Sequence, residues 1–429
     1  LLQHQEKSMD EKRKLAINFY AISFDAIFFN ISSAFLDPGT VIPSFVSMLT
    51  NSPILIGLTT TIRNCGWFLP QLLVAHRVES LPYKKPVVLW AGGSLRLSIG
   101  IMAFSALLAA RNPGLALSLF YLFFVILSFS DGITGVPWID IFAKSIPPSS
   151  RGRYYALTQL LGGSLAFGAG FLIKNILDSK DFVFPNNYFI IFMMGFILAA
   201  MSFISFIRVR ENISETKPGQ EDLRVFLSKI PVLLKSDMTL RKLILINTLV
   251  RFFFLPLPFY VIFARENLGL SNDVVGFFVS SQMLGYVLAG VVLGRINDYS
   301  GSRMVILITG FATTLQPVLA LASYWLHLKG YPFILLYTAI FASIGITYSG
   351  VWVGIFNYLL KIAPEEKRPL YIGLLNTVTA PTTFLPIIGG LVINNFNYTF
   401  LFIMTFAIVF TGFILSFTIK EPDIIQKKL

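Results

Sequence analysis

Long apolar runs broken by short polar turns follow one another from end to end of this chain. Crossing a ~30 Å hydrocarbon layer takes ~20 residues of helix. Runs of that order occupy about 15–46, 53–76, 86–109, 114–143, 153–174 and 187–207. After a polar stretch they resume at about 242–264, 273–293, 304–326, 331–360, 370–393 and 397–419. The pattern predicts an all-α polytopic membrane protein with twelve transmembrane helices. The first run is overlong, and Asp37-Pro38-Gly39 predicts a bend within it. Proline there removes a backbone donor and clashes with the preceding turn.

Composition sharpens this reading. Of 429 residues 55% are hydrophobic and only 13% charged, where a soluble domain carries roughly a quarter. Orientation follows from Lys and Arg, which favour the cytoplasmic loops. With both termini and alternate loops on one side, that side holds 26 of the 34 basic residues and the opposite loops 5. Both termini are therefore expected in the cytoplasm. The same asymmetry accounts for the net charge of +12 with anionic lipid headgroups as counter-charge, and no nucleic-acid partner is needed. The implied organisation is an N-terminal tail over 1–14, a bundle over 15–207, a linker over 208–241, a second bundle over 242–419 and a tail over 420–429. Within the linker, Asp222–Leu234 is expected to form a short amphipathic surface helix. The lone Cys65 and the scattered His4, His76 and His327 suggest neither a disulfide nor a metal site. No cofactor is expected.

The two halves repeat. Ser52-Pro-Ile-Leu-Ile-Gly57 aligns with Ser271-Asn-Asp-Val-Val-Gly276, and at the same offset Gly66 meets Gly285 and Arg63 meets Gln282. One residue closer, Arg77 meets Arg295 and Lys85 meets Arg303. The turns at Pro148 and Pro364 correspond, and each half closes on a base followed by Glu, Arg210-Glu211 and Lys420-Glu421. Six helices repeated in the same orientation make two six-helix bundles related as parallel repeats. That is an arrangement used by alternating-access transporters, with the substrate site near the midplane.

At this point the residues resemble the major facilitator superfamily. Its loop signature Gly-x-x-x-Asp-Arg-x-Gly-Arg-Arg is matched at Gly294, Asp298, Gly301 and Arg303, with departures at Tyr299 and Ser302. The loop between the second and third spans, His76 to Lys85, lacks the Asp and both glycines. The turn Pro148-Ser-Ser-Arg151-Gly-Arg153 is also similar to the family's. Gly301 is expected to permit a tight turn and Gly294 a close helix approach. Asp298 could cap the next helix or pair with an arginine in a cytoplasmic latch; a solvated turn is the plainer alternative.

Ionisable residues inside the spans need a partner, a wet cavity or a function. At ~1.5 Å per residue, Asp25 lies about 15 Å into the first span, with Arg63 and Arg96 at similar depth and Arg251 about 13 Å into the seventh. Asp25 and Asp131 are candidates to carry a coupling proton, and Arg63 and Arg251 to bind an anionic group in a cavity. Internal pairing, for instance Asp25 with Arg96, is the alternative. Gln159, Gln282 and Asn376 could donate hydrogen bonds to a substrate or simply join helices. Trp138, Tyr348 and Trp352 could stack on a substrate, although packing would equally explain them. Gly162 to Gly170 and Pro386 to Gly390 faintly resemble the glycine motif of drug exporters.

The expected function is a secondary transporter, coupled to protons, for a small organic solute. Absence of a Gly-x-x-x-x-Gly-Lys-Ser/Thr loop argues against ATP as the energy source. Aromatic content leans towards export of amphipathic, drug-like compounds. The alternatives are uptake of an anionic metabolite and flipping of a lipid-linked headgroup. His-Glu-x-x-His and Gly-x-Ser-x-Gly are absent, so an enzyme is not expected. The expected setting is a monomer among the lipids of a bacterial or archaeal inner membrane.

Overall fold

The structure, a computed structural model, describes residues 2–79, 81–212, 233, 237–326, 331–364 and 368–422. Its elements are α1 (Leu2–Phe35), α2 (Val41–Ser47), α3 (Pro53–Glu79), α4 (Lys85–Leu107) and α5 (Pro113–Ser145). They continue with α6 (Pro148–Asp178), α7 (Asn186–Ile207) and α8 (Met238–Glu266). The last are α9 (Val274–Ser300), α10 (Ser302–Trp325), α11 (Phe333–Ile362), α12 (Leu370–Asn395) and α13 (Tyr398–Ser416). Asp222–Leu234, apart from Leu233, lies outside the described residues, as do His327 and residues 365–367 of the second repeated turn.

The overlong first run is broken where its sequence predicts. Helix α1 ends at Phe35 and α2 begins at Val41. Between them the Asp37 carboxylate accepts hydrogen bonds from Gly39 N at 3.0 Å and Thr40 Oγ1 at 2.8 Å. These bonds hold the turn that joins the two helices. Helix α1 also reaches back to Leu2, through residues expected to form a tail. Among the described residues eleven helices are long and apolar enough to cross a membrane. The second predicted span, α3, is 27 residues long but is not one of them, since Thr59, Thr60, Thr61, Arg63 and Asn64 lower its hydropathy.

The chain divides into two compact units. Unit 1 comprises residues 1–49, 62–220 and 272–276; unit 2 comprises residues 50–61, 221–271 and 277–429. Unit 1 is centred in part on Ile22, Val88, Ile141, Phe142, Tyr154 and Phe206. Unit 2 has a corresponding cluster around Leu243, Ile306, Tyr358, Leu374 and Ile419.

Two devices recur in both units. The first is a glycine crossing. In unit 1 a Cβ added at Gly132 of α5 would lie 2.1 Å from the Gly66 carbonyl oxygen of α3, and one at Gly66 would meet Ser128 at 2.4 Å. In unit 2 a Cβ at Gly345 of α11 would lie 2.2 Å from the Gln282 carbonyl oxygen of α9, and one at Gly285 would lie 2.3 Å from that of Ala342. Only a residue without a side chain lets two backbones approach this closely.

The second device is a reciprocal clasp. Glu211, just beyond α7, accepts hydrogen bonds from the backbone of Lys84 at 2.7 Å and Lys85 at 2.8 Å, at the start of α4. Lys85 Nζ returns two bonds to the Ile207 and Val209 carbonyls, at 2.7 and 2.8 Å. In unit 2, Glu421 accepts from the backbone of Ser302 at 3.2 Å and Arg303 at 2.7 Å, at the start of α10. Arg303 Nη2 donates to the Phe417 carbonyl at 3.4 Å. A carboxylate thus meets the positive end of one helix and a cation the negative end of its neighbour, the favourable sense at both termini.

Candidate functional site

In unit 1 the charged groups inside the spans form an ion pair and a hydrogen-bonded network. In unit 1, Arg63 of α3 donates from Nη2 to Asp131 Oδ2 of α5 at 2.6 Å. The Asp131 side chain is 8% exposed and that of Arg63 25%. Their meeting is set by the glycine crossing one turn away, which brings α3 and α5 together at Gly66 and Gly132. Nη1 of Arg63 is buried without a hydrogen-bond partner among the described residues. The pair therefore engages one of two Nη groups and one carboxylate oxygen.

Asp25 and Arg96 do meet, though through an intermediary. Ser202 of α7 donates to Asp25 Oδ1 at 2.6 Å, and Arg96 Nη2 donates to Ser202 Oγ at 2.9 Å. Trp138 Nε1 donates to Asp25 Oδ2 at 2.9 Å. Arg96 completes its bonds to the Ala199 and Gly92 carbonyls and lies over the rings of Phe29 and Phe203. The result is a buried network joining α1, α4, α5 and α7. Trp138 also stacks on Phe142 at 5.6 Å, so its indole is committed on both its polar and its flat face. Sequence reading missed Ser202. Its only signal is a serine among apolar residues of α7, which is too common to single out.

Gln159 lies in a π turn, Thr158–Gly162, inside α6. Trp352 of unit 2 lies in another, Val351–Phe356, inside α11, and is 61% exposed. Such turns widen a helix locally and recur at functional sites. Arg251 opens a 3₁₀ turn in α8, and Asn376, which is exposed, lies just ahead of another in α12. Tyr348 meets Phe253 edge-on at 5.3 Å, a packing contact. Gln282 is buried at 6%.

The loop signature is built differently from its expectation. Helix α9 runs on to Ser300, so Gly294 and Asp298 sit on its last turns and not in a loop. Among the described residues a Cβ at Gly294 would meet nothing within 4 Å, so this glycine makes no close approach to them. Asp298 is exposed, and the carboxylate on the α10 N-terminus is Glu421 instead. Gly301 does make the tight turn, with φ +85°. A side chain there would also collide with the Glu421 carboxylate at 2.4 Å. Arg151 caps the end of α5 through the Ala143 and Ile146 carbonyls, and Arg153 lies 5.4 Å from the Phe19 ring. Asp140 is held between Lys84, at 3.0 Å, and Lys144. In unit 2 the matching cation, Lys361, pairs with Glu421 at 2.7 Å. Glu211 and Glu421 are legible in the sequence as repeat markers, but their capping role is not.

The described residues contain no group of three or more His, Cys, Asp or Glu that could hold a metal ion.

These features define the class: a multi-pass all-α membrane protein of two compact units built on one repeated plan. Residues 243–428 match the model of the Major Facilitator Superfamily. Among solved structures the chain is similar to a D-xylose–proton symporter, with a TM-score of 0.70, 14% identity and coverage of 96% of this chain and 99% of the other. It is also similar to a bacterial homologue of the iron transporter ferroportin in an inward-facing state (0.67, 14%, 92% and 98%). A nucleoside transporter gives 0.68 at 14% identity, covering 94% and 99%. No curated protein matches the sequence significantly. The resemblance read from the loop signature is borne out: the C-terminal half carries the superfamily's sequence pattern, and the whole chain has the fold of its transporters.

Proposed function

We propose that this protein is a secondary active transporter that moves a small organic solute by alternating access, exchanges it for protons, and works outward on amphipathic compounds. Its setting in this reading is a bacterial or archaeal inner membrane, as a monomer with both termini in the cytoplasm. The observation that carries the reading is the Arg63–Asp131 pair. An isolated arginine at this depth would offer a standing site to a small anion. With Asp131 at 2.6 Å the site has no net charge, which favours an amphipathic cargo over a metabolite anion. The pair also has two arrangements. Ionised, Asp131 holds Arg63; protonated, it releases a guanidinium that already has one unpaired buried nitrogen. Cargo that binds only one arrangement is thereby linked to proton uptake. Asp25, bonded by the neutral donors Ser202 and Trp138, is the second carboxylate able to take part.

The test is substrate-driven proton movement in proteoliposomes, using a panel of amphipathic dyes and small organic anions. Amphipathic compounds are expected to drive proton flux, and Asp131→Asn to transport without it. Flux with anions alone would overturn the cargo class. Coupling unchanged in both Asp131→Asn and Asp25→Asn would overturn the proton role.

A further inference from the structure

Between α1 and α7 unit 1 carries a groove of ≈ 330 Å³ lined by Arg13, Ile17, Tyr20, Phe24, Ser205 and Arg208, together with two alanines. Arg13 lies at the N-terminal end of the groove on α1, and Arg208 follows the C-terminal end of α7. Among the described residues neither has an ion-pair or hydrogen-bond partner, and no carboxylate lines the groove. The rest of the lining is largely apolar and open to the outside, with Tyr20 51% and Phe24 49% exposed. From Arg13 to Phe24 the helix rises about 16 Å, half of a ~30 Å hydrocarbon layer. The groove therefore has the length of one leaflet, with Arg13 at its outer end.

The groove is held open by the fold and needs no ligand to form. Asn18 Nδ2 donates to the Arg210 carbonyl at 3.0 Å, and Arg210 N donates to Asn18 Oδ1 at 2.8 Å. This two-way bond ties α1 to the end of α7 beside the two arginines. Deeper in, the Ser202–Asp25 bond ties the same helices at 2.6 Å. Arg13 and Arg208 are thus presented from two helices whose spacing is fixed.

We infer that this groove is a binding site for one anionic phospholipid, its phosphate between Arg13 and Arg208 and one acyl chain along Ile17, Tyr20 and Phe24. Charge complementarity selects the headgroup. The apolar track of leaflet length selects a lipid over a free phosphate. The site is distinct from the Arg63–Asp131 pair, neither of whose residues lines it.

Native mass spectrometry of the full chain, given equal amounts of phosphatidylglycerol and phosphatidylcholine, reads this directly. Both lipids carry a phosphate, but choline neutralises that of phosphatidylcholine, so two basic groups beside a net-anionic headgroup are expected to give on the order of tenfold preferential retention of phosphatidylglycerol. The preference is expected to vanish in Arg13→Gln/Arg208→Gln and to survive in Arg13→Lys/Arg208→Lys. Ala16→Trp, which fills the groove and keeps both arginines, is expected to abolish it as well, so a folding defect in the first variant does not decide the matter. Equal retention of the two lipids by the parent protein, or preference undiminished by Ala16→Trp, overturns the inference. Inorganic phosphate is expected to leave the melting temperature unchanged. If phosphate raises it in the parent and not in Arg13→Gln/Arg208→Gln, the site takes a free anion and the lipid assignment falls.

Discussion

Replacing Arg63 by Gln leaves the Asp131 carboxylate, whose side chain is 8% exposed, without its cation. Breaking a buried ion pair by removing one partner costs about 3–5 kcal/mol, largely through the uncompensated charge left behind. Arg63 is itself 25% exposed, so water reaches part of the pair and the loss belongs at the lower end, about 3 kcal/mol. For a unit of some two hundred residues, each kcal/mol moves the melting temperature by about 2–4 °C. Arg63→Gln is therefore expected to melt about 6–12 °C below the parent in a mild detergent. The double variant Arg63→Gln/Asp131→Asn removes both charges and can bridge the same positions with neutral amides. Replacing a buried pair by neutral partners is often close to neutral in stability, so the double variant is expected within about 3 °C of the parent. The assay is thermal unfolding of the four proteins of the cycle. Positive coupling of about 2 kcal/mol or more is the expected result. Additive losses, with the double variant the least stable of the four, would refute the pairing.

Other expectations follow from the repeated devices. Gly132→Val and Gly345→Val each place a side chain within about 2.2 Å of a backbone oxygen across a helix pair. Each should lower stability by at least the ~1–3 kcal/mol of an overpacked core, measured as lost folded yield or melting temperature. Glu211→Ala and Glu421→Ala remove the carboxylate from a helix N-terminus and should each cost about 1 kcal/mol, detectable as faster hydrogen exchange at the first turn of α4 or α10. Burial raises the affinity of Glu421 for a proton, but hydrogen bonds from Lys361, Arg303 N and Ser302 N outweigh it and hold its pKa below the usual 4.5. Its contribution to stability is then complete above pH 4.5 and is lost as pH falls through the depressed value. Glu421→Gln should accordingly show a shallower loss of stability below pH 4.5 than the parent, in a pH series of melting temperatures.

The fold was legible because the bilayer imposes a length and a polarity that no local preference overrides. Apolar run length locates eleven spans among the described residues, and Asp37-Pro38-Gly39 marks the break because proline cannot continue the ladder. The helix ends were less legible. Helix α9 passes through Gly294 and Asp298, since nothing in that stretch disfavours helix strongly until Gly301 must adopt a positive φ. Among the candidate residues, sequence gives position along each helix but not rotation about its axis. Arg63 finds Asp131, 68 residues away, because a glycine crossing sets which faces meet. Asp25 finds Arg96 only through Ser202, which no charge pattern reveals.

The two units share what holds them together and differ in what is charged within them. Glycine crossings and reciprocal clasps occur in both, at the positions the repeat relates. The Arg63–Asp131 pair does not recur: Gln282 stands at the place of Arg63. At the spacing that relates Gly132 to Gly345, Ile344 stands at the place of Asp131. Arg96 likewise corresponds to Thr314, at the spacing that relates Lys85 to Arg303. Unit 2 thus forms the same helix crossings with a neutral amide, an isoleucine and a threonine where unit 1 carries charges. The architecture does not require those charges. Each costs at least ~2.5–3.5 kcal/mol on insertion scales at the centre of a membrane helix. A cost borne at these positions by one copy of a plan and not by the other, whose own intramembrane charge is Arg251 at a different place, points to work done on something other than folding. On that ground the ion pair of unit 1 ranks ahead of the aromatic residues of unit 2 as the place to test the proposed coupling.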